Sequence, residues 1–175
     1  MSTYKILFIF VEGDDDERFF NEVLVPKFKE KYDDVKPIKY ARWKKESVYK
    51  FIKSIKEMGA DYIYLTDIDD SPCITVKKEE IQNKYKNINN DKVIVVVKEI
   101  ESWYLAGLDN KACKQLKIKN FANTDNVTKE KFNALIPKKF TPRKNFMSEI
   151  LKYFSIEIAK QKNKSFKYFV EKYDC

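Results

Sequence analysis

From Tyr4 to Val11 the chain is an apolar run with an aromatic and β-branched bias, the composition of a strand buried on both faces of a parallel sheet. Gly13 breaks the run. Asp14, Asp15, Asp16 and Glu17 then crowd the first turn of a helix, where negative charge meets the positive end of the helix dipole. Phe19, Phe20, Val23 and Leu24 predict the buried stripe of that helix, and Pro26 should kink or end it. A shorter, weaker strand pattern covers Val35 to Tyr40. Val48, Phe51, Ile52, Ile55 and Met58 follow at helical spacing, with Gly59 as the stop signal. Tyr62 to Leu65 predicts the next strand, which runs out into Thr66, Asp67, Ile68, Asp69 and Asp70. A polar helix from Val76 to Tyr85 and a turn at Asn89, Asn90 and Asp91 lead to the strongest strand pattern, Val93 to Val97, which is followed by Glu99 and Glu101.

Strands alternating with helices at these spacings imply right-handed crossovers and an α/β fold, a parallel sheet of about four strands with helices on both faces. Beyond Leu108 the apolar positions turn wholly helical: Phe132, Leu135 and Ile136, then Phe146, Ile150, Leu151, Phe154 and Ile158, then Phe166, Phe169, Val170 and Tyr173. The expected organisation is a core over 1–108 and a Lys-rich helical extension over 109–175 packed on it, or one domain over 1–175. Trp103, Leu105 and Ala106 belong to an apolar run, so Trp103 and Tyr104 are expected in the core.

Composition narrows the chemistry. The chain has 175 residues and no His, which removes serine and cysteine triads and histidine metal sites together. Its three cysteines, Cys73, Cys113 and Cys175, are widely spaced and form no zinc or redox pair, so reduced thiols are expected. The longest apolar run is far too short to span a membrane and ends in Glu12 rather than a small-residue cleavage site, so a cytoplasmic protein without a membrane partner is expected. The net charge of +8 is unevenly placed: residues 1–110 hold 19 Lys/Arg and 21 Asp/Glu, residues 111–175 hold 16 and 6. Such asymmetry suits a phosphate-contacting surface beside an acidic catalytic part, and equally a solvated Lys-rich helical surface. Lys138, Lys139, Arg143 and Lys144, which flank Thr141 and Pro142 in what reads as a loop, are the candidate nucleic-acid contacts.

Three of the four predicted strands end in carboxylates: Glu12, then Asp67 and Asp69, then Glu99 and Glu101. In a parallel sheet those ends share one edge, the edge where open α/β folds bind ligands. In an extended turn each pair, two residues apart, points the same way. Clustered carboxylates need a cation, and an all-oxygen donor set favours Mg²⁺, with Mn²⁺ as a substitute. Asp14, Asp15 and Glu17 read as helix-start charges and Asp70 as a turn residue.

Glu12-Gly13 after an apolar strand and Asp67-Ile68-Asp69 after a later one resemble the EG and DxD signatures of Toprim domains. Val11-Glu12-Gly13 with Asp16, together with the segment from Glu99 to Ala106 and Ser165-Phe166-Lys167-Tyr168-Phe169, is similar to the stand-alone Toprim-like proteins of prokaryotes related to overcoming-lysogenization-defect (OLD) nucleases. That resemblance implies a Mg²⁺-dependent site acting on phosphodiester bonds. Glu12 would bind metal or act as general acid/base, Asp67 and Asp69 would be ligands, and Asp16 and Glu101 would complete a second metal position, with Glu99 a further candidate. It also implies a nuclease acting on nucleic acid, DNA ahead of RNA, in phage defence, with a separate ATPase protein as a potential partner. Two other readings stay open: a non-catalytic nucleic-acid-binding or regulatory subunit of a defence or repair system, and an enzyme of small-molecule phosphates.

Overall fold

The first apolar run forms strand β1 (Ile6–Val11), in which every residue after Ile6 is buried. The structure, a computed structural model, describes residues 3–175. β1 pairs in parallel with β2 (Asp34–Lys39) on one side and with β3 (Asp61–Asp67) on the other, and β4 (Val93–Val96) completes a four-stranded sheet of order β2-β1-β3-β4. This is the α/β architecture expected from the alternation. The weak pattern of β2 follows from its place at an edge. Only Val35 in it is buried, and Pro37, which cannot donate a ladder hydrogen bond, is tolerated there.

After β1 the chain enters α1 (Asp14–Phe19), widens into a π-helical turn over Phe20–Leu24, and ends as α2 (Val25–Phe28). Pro26 does not stop this path where it stands, since the helix continues to Phe28. Its ring would collide with a carbonyl one turn back, and the preceding turn is wide, with the Val25 N–H reaching back to the Phe20 carbonyl. Phe19, Phe20 and Leu24 are buried as expected.

Helix α3 (Lys45–Glu57) buries Val48, Ile52 and Ile55 but not Met58, which lies beyond its last turn and is exposed. Gly59, at φ +67°, closes the helix: its N–H reaches the Lys56 carbonyl and that of Ala60 reaches the Ile55 carbonyl, a glycine-dependent helix end. Val48, Ile52 and Ile55 share a core cluster with Phe8, Phe10, Tyr62, Tyr64, Val93 and Val95, and with Ile81 and Tyr85 from α4 (Ile74–Lys84) and its end. Alternate residues of β1 and β3 thus face α3 and α4. Leu7, Ile9, Val11, Ile63 and Leu65 on the other face are buried as well.

The remaining helices are α5 (Ile100–Ala106), α6 (Asn110–Leu116), α7 (Lys129–Leu135), α8 (Arg143–Leu151), α9 (Ile156–Lys162) and α10 (Lys164–Tyr173). The chain divides into two compact units, one ending at Val95 and the other running from Val96 to Cys175. The division falls at the end of β4 rather than after Leu108, because α5 is buried among the helices that follow it. In this second unit the Trp103 ring lies 5.1 Å from Phe166 and 5.5 Å from Phe169, and its indole N–H donates to the Ser165 hydroxyl at 2.9 Å. Among the described residues no helix is long and apolar enough to cross a membrane.

Candidate metal centre

The first unit places two of the predicted carboxylates at one edge of its sheet. Phe10 lies opposite Tyr64 in the parallel pairing of β1 and β3, so the chain leaves β1 at Glu12 and completes β3 at Asp67 on the same side. Asp16, in the first turn of α1, is buried, and its Oδ2 accepts the Gly13 N–H at 3.3 Å. That bond holds a carboxylate beside the turn that carries Glu12.

Tyr40, the residue after β2, joins this edge. Its backbone N–H donates to the Val11 carbonyl at 3.0 Å, its hydroxyl donates to the Leu65 carbonyl at 2.7 Å, and its ring stacks on Tyr64 at 4.7 Å. Burial pushes the Tyr40 phenol well above its ordinary range, and the negative charges of Glu12 and Asp16 push the same way. The phenol therefore stays protonated at neutral pH, a neutral hydrogen-bond donor beside two carboxylates. Sequence reasoning placed Tyr40 only as the end of a weak strand. Nothing local distinguishes it from the other ten tyrosines; the parallel pairing of β2 with β1 brings it to Glu12.

A groove of about 560 Å³ opens here, lined by Glu12, Gly13, Asp14, Lys39, Ala41, Arg42 and Trp43. The other acids of the α1 turn have partners of their own. Asp14 and Glu17 bind Lys39 at 2.8 and 3.3 Å, and Asp15 binds Arg18 at 2.8 Å. Hydrogen bonding to Lys39 holds the exposed Asp14 carboxyl below its usual range.

Asp69 departs from the extended geometry expected for it. Its backbone is left-handed, at φ +48°, and its carboxylate pairs with Lys77 of α4 at 2.5 Å. The two-residue alternation that would aim Asp67 and Asp69 alike requires extended backbone on both, and Asp69 does not supply it. Lys77 is almost wholly buried while Asp69 is mostly exposed, so the pair draws the carboxylate onto α4.

Glu99 and Glu101 fail the same alternation for a different reason: Glu99 is the residue before α5 and Glu101 lies within its first turn. Their partners differ accordingly. Glu99 accepts the Lys129 backbone N–H at 2.5 Å, and the buried Glu101 accepts from the Arg143 guanidinium at 2.5 Å.

Within neither unit are three acidic or cysteine side chains, among the described residues, grouped closely enough to form a ready metal cage. The donor set still fits Mg²⁺, which keeps several waters and is usually held by one or two carboxylates together with substrate phosphates. Glu12 and Asp67, at the ends of adjacent strands, are the residues that would hold it.

The basic candidates are arranged differently from one another. Lys138 and Lys139 lie in an exposed turn, while Arg143 and Lys144 open α8 rather than lying in a loop. Arg143 is fixed three ways: to Glu101, to Asn133 Oδ1 at 2.7 Å, and over the Phe132 ring at 5.3 Å. It belongs to the packing of the second unit, whereas Lys138, Lys139 and Lys144 are exposed.

No family model matches the chain, and no curated protein matches it. Among solved structures it is similar to the C-terminal region of the Burkholderia pseudomallei OLD protein, at 16% identity over 98% of each chain and a TM-score of 0.46.

Proposed function

We propose that the carboxyl-end edge of the sheet is a Mg²⁺ site acting on phosphodiester bonds of nucleic acid, a Toprim-type nuclease centre. The observation that carries this reading is the placement of Glu12 and Asp67 at the ends of two adjacent parallel strands, with Asp16 buried in the intervening helix turn. Carboxylates brought to one sheet edge supply the oxygen donors that a hard divalent cation prefers. Mg²⁺ bound there would neutralise phosphate charge and acidify a water. Glu12 would hold the ion or take up the proton of the attacking water, and Asp67 would be a ligand; Tyr40, whose one hydroxyl proton goes to the Leu65 carbonyl, would brace the edge on which they stand. Asp69 would join only after leaving Lys77. Mn²⁺ would substitute. Exposed Lys138, Lys139 and Lys144 would add phosphate contacts.

One observation favours a second reading, a nucleic-acid-binding or regulatory subunit without turnover. Asp69 and Glu101 are already neutralised by Lys77 and Arg143, so these two carboxylates have counter-charges without any metal.

Thermal unfolding separates metal binding from activity. Millimolar Mg²⁺ or Mn²⁺ is expected to raise Tm by preferential binding to the native state, about 2.7 kcal/mol at a hundredfold excess over Kd, and Asp67→Ala is expected to abolish the shift. A nuclease assay on single-stranded, duplex and RNA substrates then distinguishes the two readings. A chain whose Tm ignores Mg²⁺ but follows Zn²⁺ contradicts the nuclease reading.

A further inference from the structure

The first unit as a whole is electrically balanced, with 18 Lys/Arg and 18 Asp/Glu in residues 1–95. A local concentration of cations in it is therefore not a by-product of a basic composition. One exists where the chain passes from β2 into α3. A groove of about 710 Å³ there is lined by Arg42, Lys44, Lys50 and Ser47 around Trp43 and Phe51, with no acidic side chain on its wall. Lys39 nearby is held by Asp14 and Glu17. Among the described residues no carboxylate forms a salt bridge with Arg42, Lys44 or Lys50.

Trp43 is 38% exposed, yet it is well supported. Its backbone N–H donates to the Tyr40 carbonyl at 2.8 Å, and its ring meets Phe51 edge to face, 5.6 Å apart at 89°. A large indole held partly in the open among cations that form no salt bridge, with only Arg42 near enough to Asp14 to attract it, has the makings of a stacking platform. Arg42 and Trp43 also line the neighbouring groove that contains Glu12, so the platform is continuous with the candidate metal centre.

We infer that this groove binds an unpaired nucleic-acid strand, one base stacked on Trp43 and its flanking phosphates on Arg42, Lys44 and Lys50, and leads the backbone toward Glu12. The inference deepens the nuclease reading and rests on it for the destination of the strand. Stacking requires a free base face, which a duplex keeps covered by its neighbours and a single strand exposes. Cations without base-edge chemistry around an aromatic make a sequence-tolerant site, with affinity carried by counterion release.

The second tryptophan, Trp103, is wholly buried, so fluorescence quenching by an added strand reports Trp43. The experiment titrates the full chain with oligothymidylate, oligouridylate and a duplex of equal length, all in EDTA so that nothing is cleaved. Quenching by both single strands is expected, with the duplex a poor competitor. With the strand end-labelled and binding read by fluorescence anisotropy, which does not need Trp43 as reporter, Trp43→Ala should weaken binding about tenfold or more, and Trp43→Tyr should keep most of it. Arg42→Gln/Lys44→Gln/Lys50→Gln should flatten the dependence of log K on log salt by about 0.7 for each phosphate that is no longer neutralised. Absence of quenching, equal affinity for the duplex, or parental affinity in a folded Trp43→Ala variant overturns the inference. If that variant fails to fold, quenching in the unaltered protein and the triple Gln variant decide. Binding without cleavage on later addition of Mg²⁺ leaves the groove standing and removes the nuclease reading. Cleavage with unchanged KM in Trp43→Ala does the reverse.

Discussion

Glu101 and Arg143 show how little a charged residue type reveals about its role. The Glu101 side chain is 5% exposed, and its charge is tolerable in the second unit because a guanidinium, itself lying over Phe132 and tied to Asn133, meets it at 2.5 Å. Removing one partner of a buried pair strands the other, at about 3–5 kcal/mol, whereas removing both charges is far milder. Arg143→Ala is therefore expected to lower stability by about 3 kcal/mol in urea unfolding, and Arg143→Ala/Glu101→Gln to recover a large part of it. Arg143→Lys should remain destabilised, since an ammonium supplies neither the planar stack nor the fork. Equal stabilities of Arg143→Ala and the parent would mean that the pair is a surface contact, and Arg143 would return to the phosphate-binding candidates.

At the scale of elements, α10 depends on a single amide. Asn163 is buried; its Oδ1 accepts the Phe166 N–H and the Ser165 hydroxyl, each at 2.9 Å, and its Nδ2 donates to Thr124 at 3.1 Å and Ser102 at 3.3 Å. One side chain thus caps the helix and satisfies hydroxyls from α5 and from the segment before α7. Loss of an N-cap costs about 1 kcal/mol, and each buried group left unpaired adds about 1–3 kcal/mol where water cannot replace it. Asn163→Ala should lower the urea midpoint by an amount equivalent to about 3 kcal/mol, well beyond a cap alone. A loss confined to about 1 kcal/mol would show that water fills the site. Packing nearby is just as unforgiving: a Cβ on Gly107 would come within 2.2 Å of the Phe154 ring.

For the whole molecule, charge is divided by unit. Residues 96–175 carry 17 Lys/Arg and 9 Asp/Glu, against the balance of the first unit. Such a field raises non-specific attraction to phosphate backbones and is screened by salt. Replacing Lys138, Lys139 and Lys144 with Gln, and sparing Arg143 because it holds Glu101, should weaken nucleic-acid binding nearly equally for all sequences and flatten its salt dependence. Circular dichroism should not change, because all three side chains are exposed. An unchanged salt slope would assign these lysines to ordinary solvation. The amplitude of Trp43 quenching at saturation should survive the substitution in either case.

The apolar runs, their β-branched bias and the helical stripes specified four strands and the helices between them, because local periodicity reports which faces must be buried. The same patterning placed Glu12 and Asp67 at strand ends, and a parallel sheet leaves such ends only one edge to share. Other features were beyond local pattern. Asp69 and Glu101 are acids like their neighbours, and only folding set Lys77 beside one and Arg143 beside the other. Period-two alternation failed at both because a left-handed residue and a helix start replaced extended backbone. Tyr40 reached Glu12 through the pairing of β2 with β1, and Trp43 became a supported, exposed ring through its contact with Phe51. Sequence determined which segments bury their apolar faces; tertiary structure decided which charges meet, because charge pairing depends on distances between residues that no local period records.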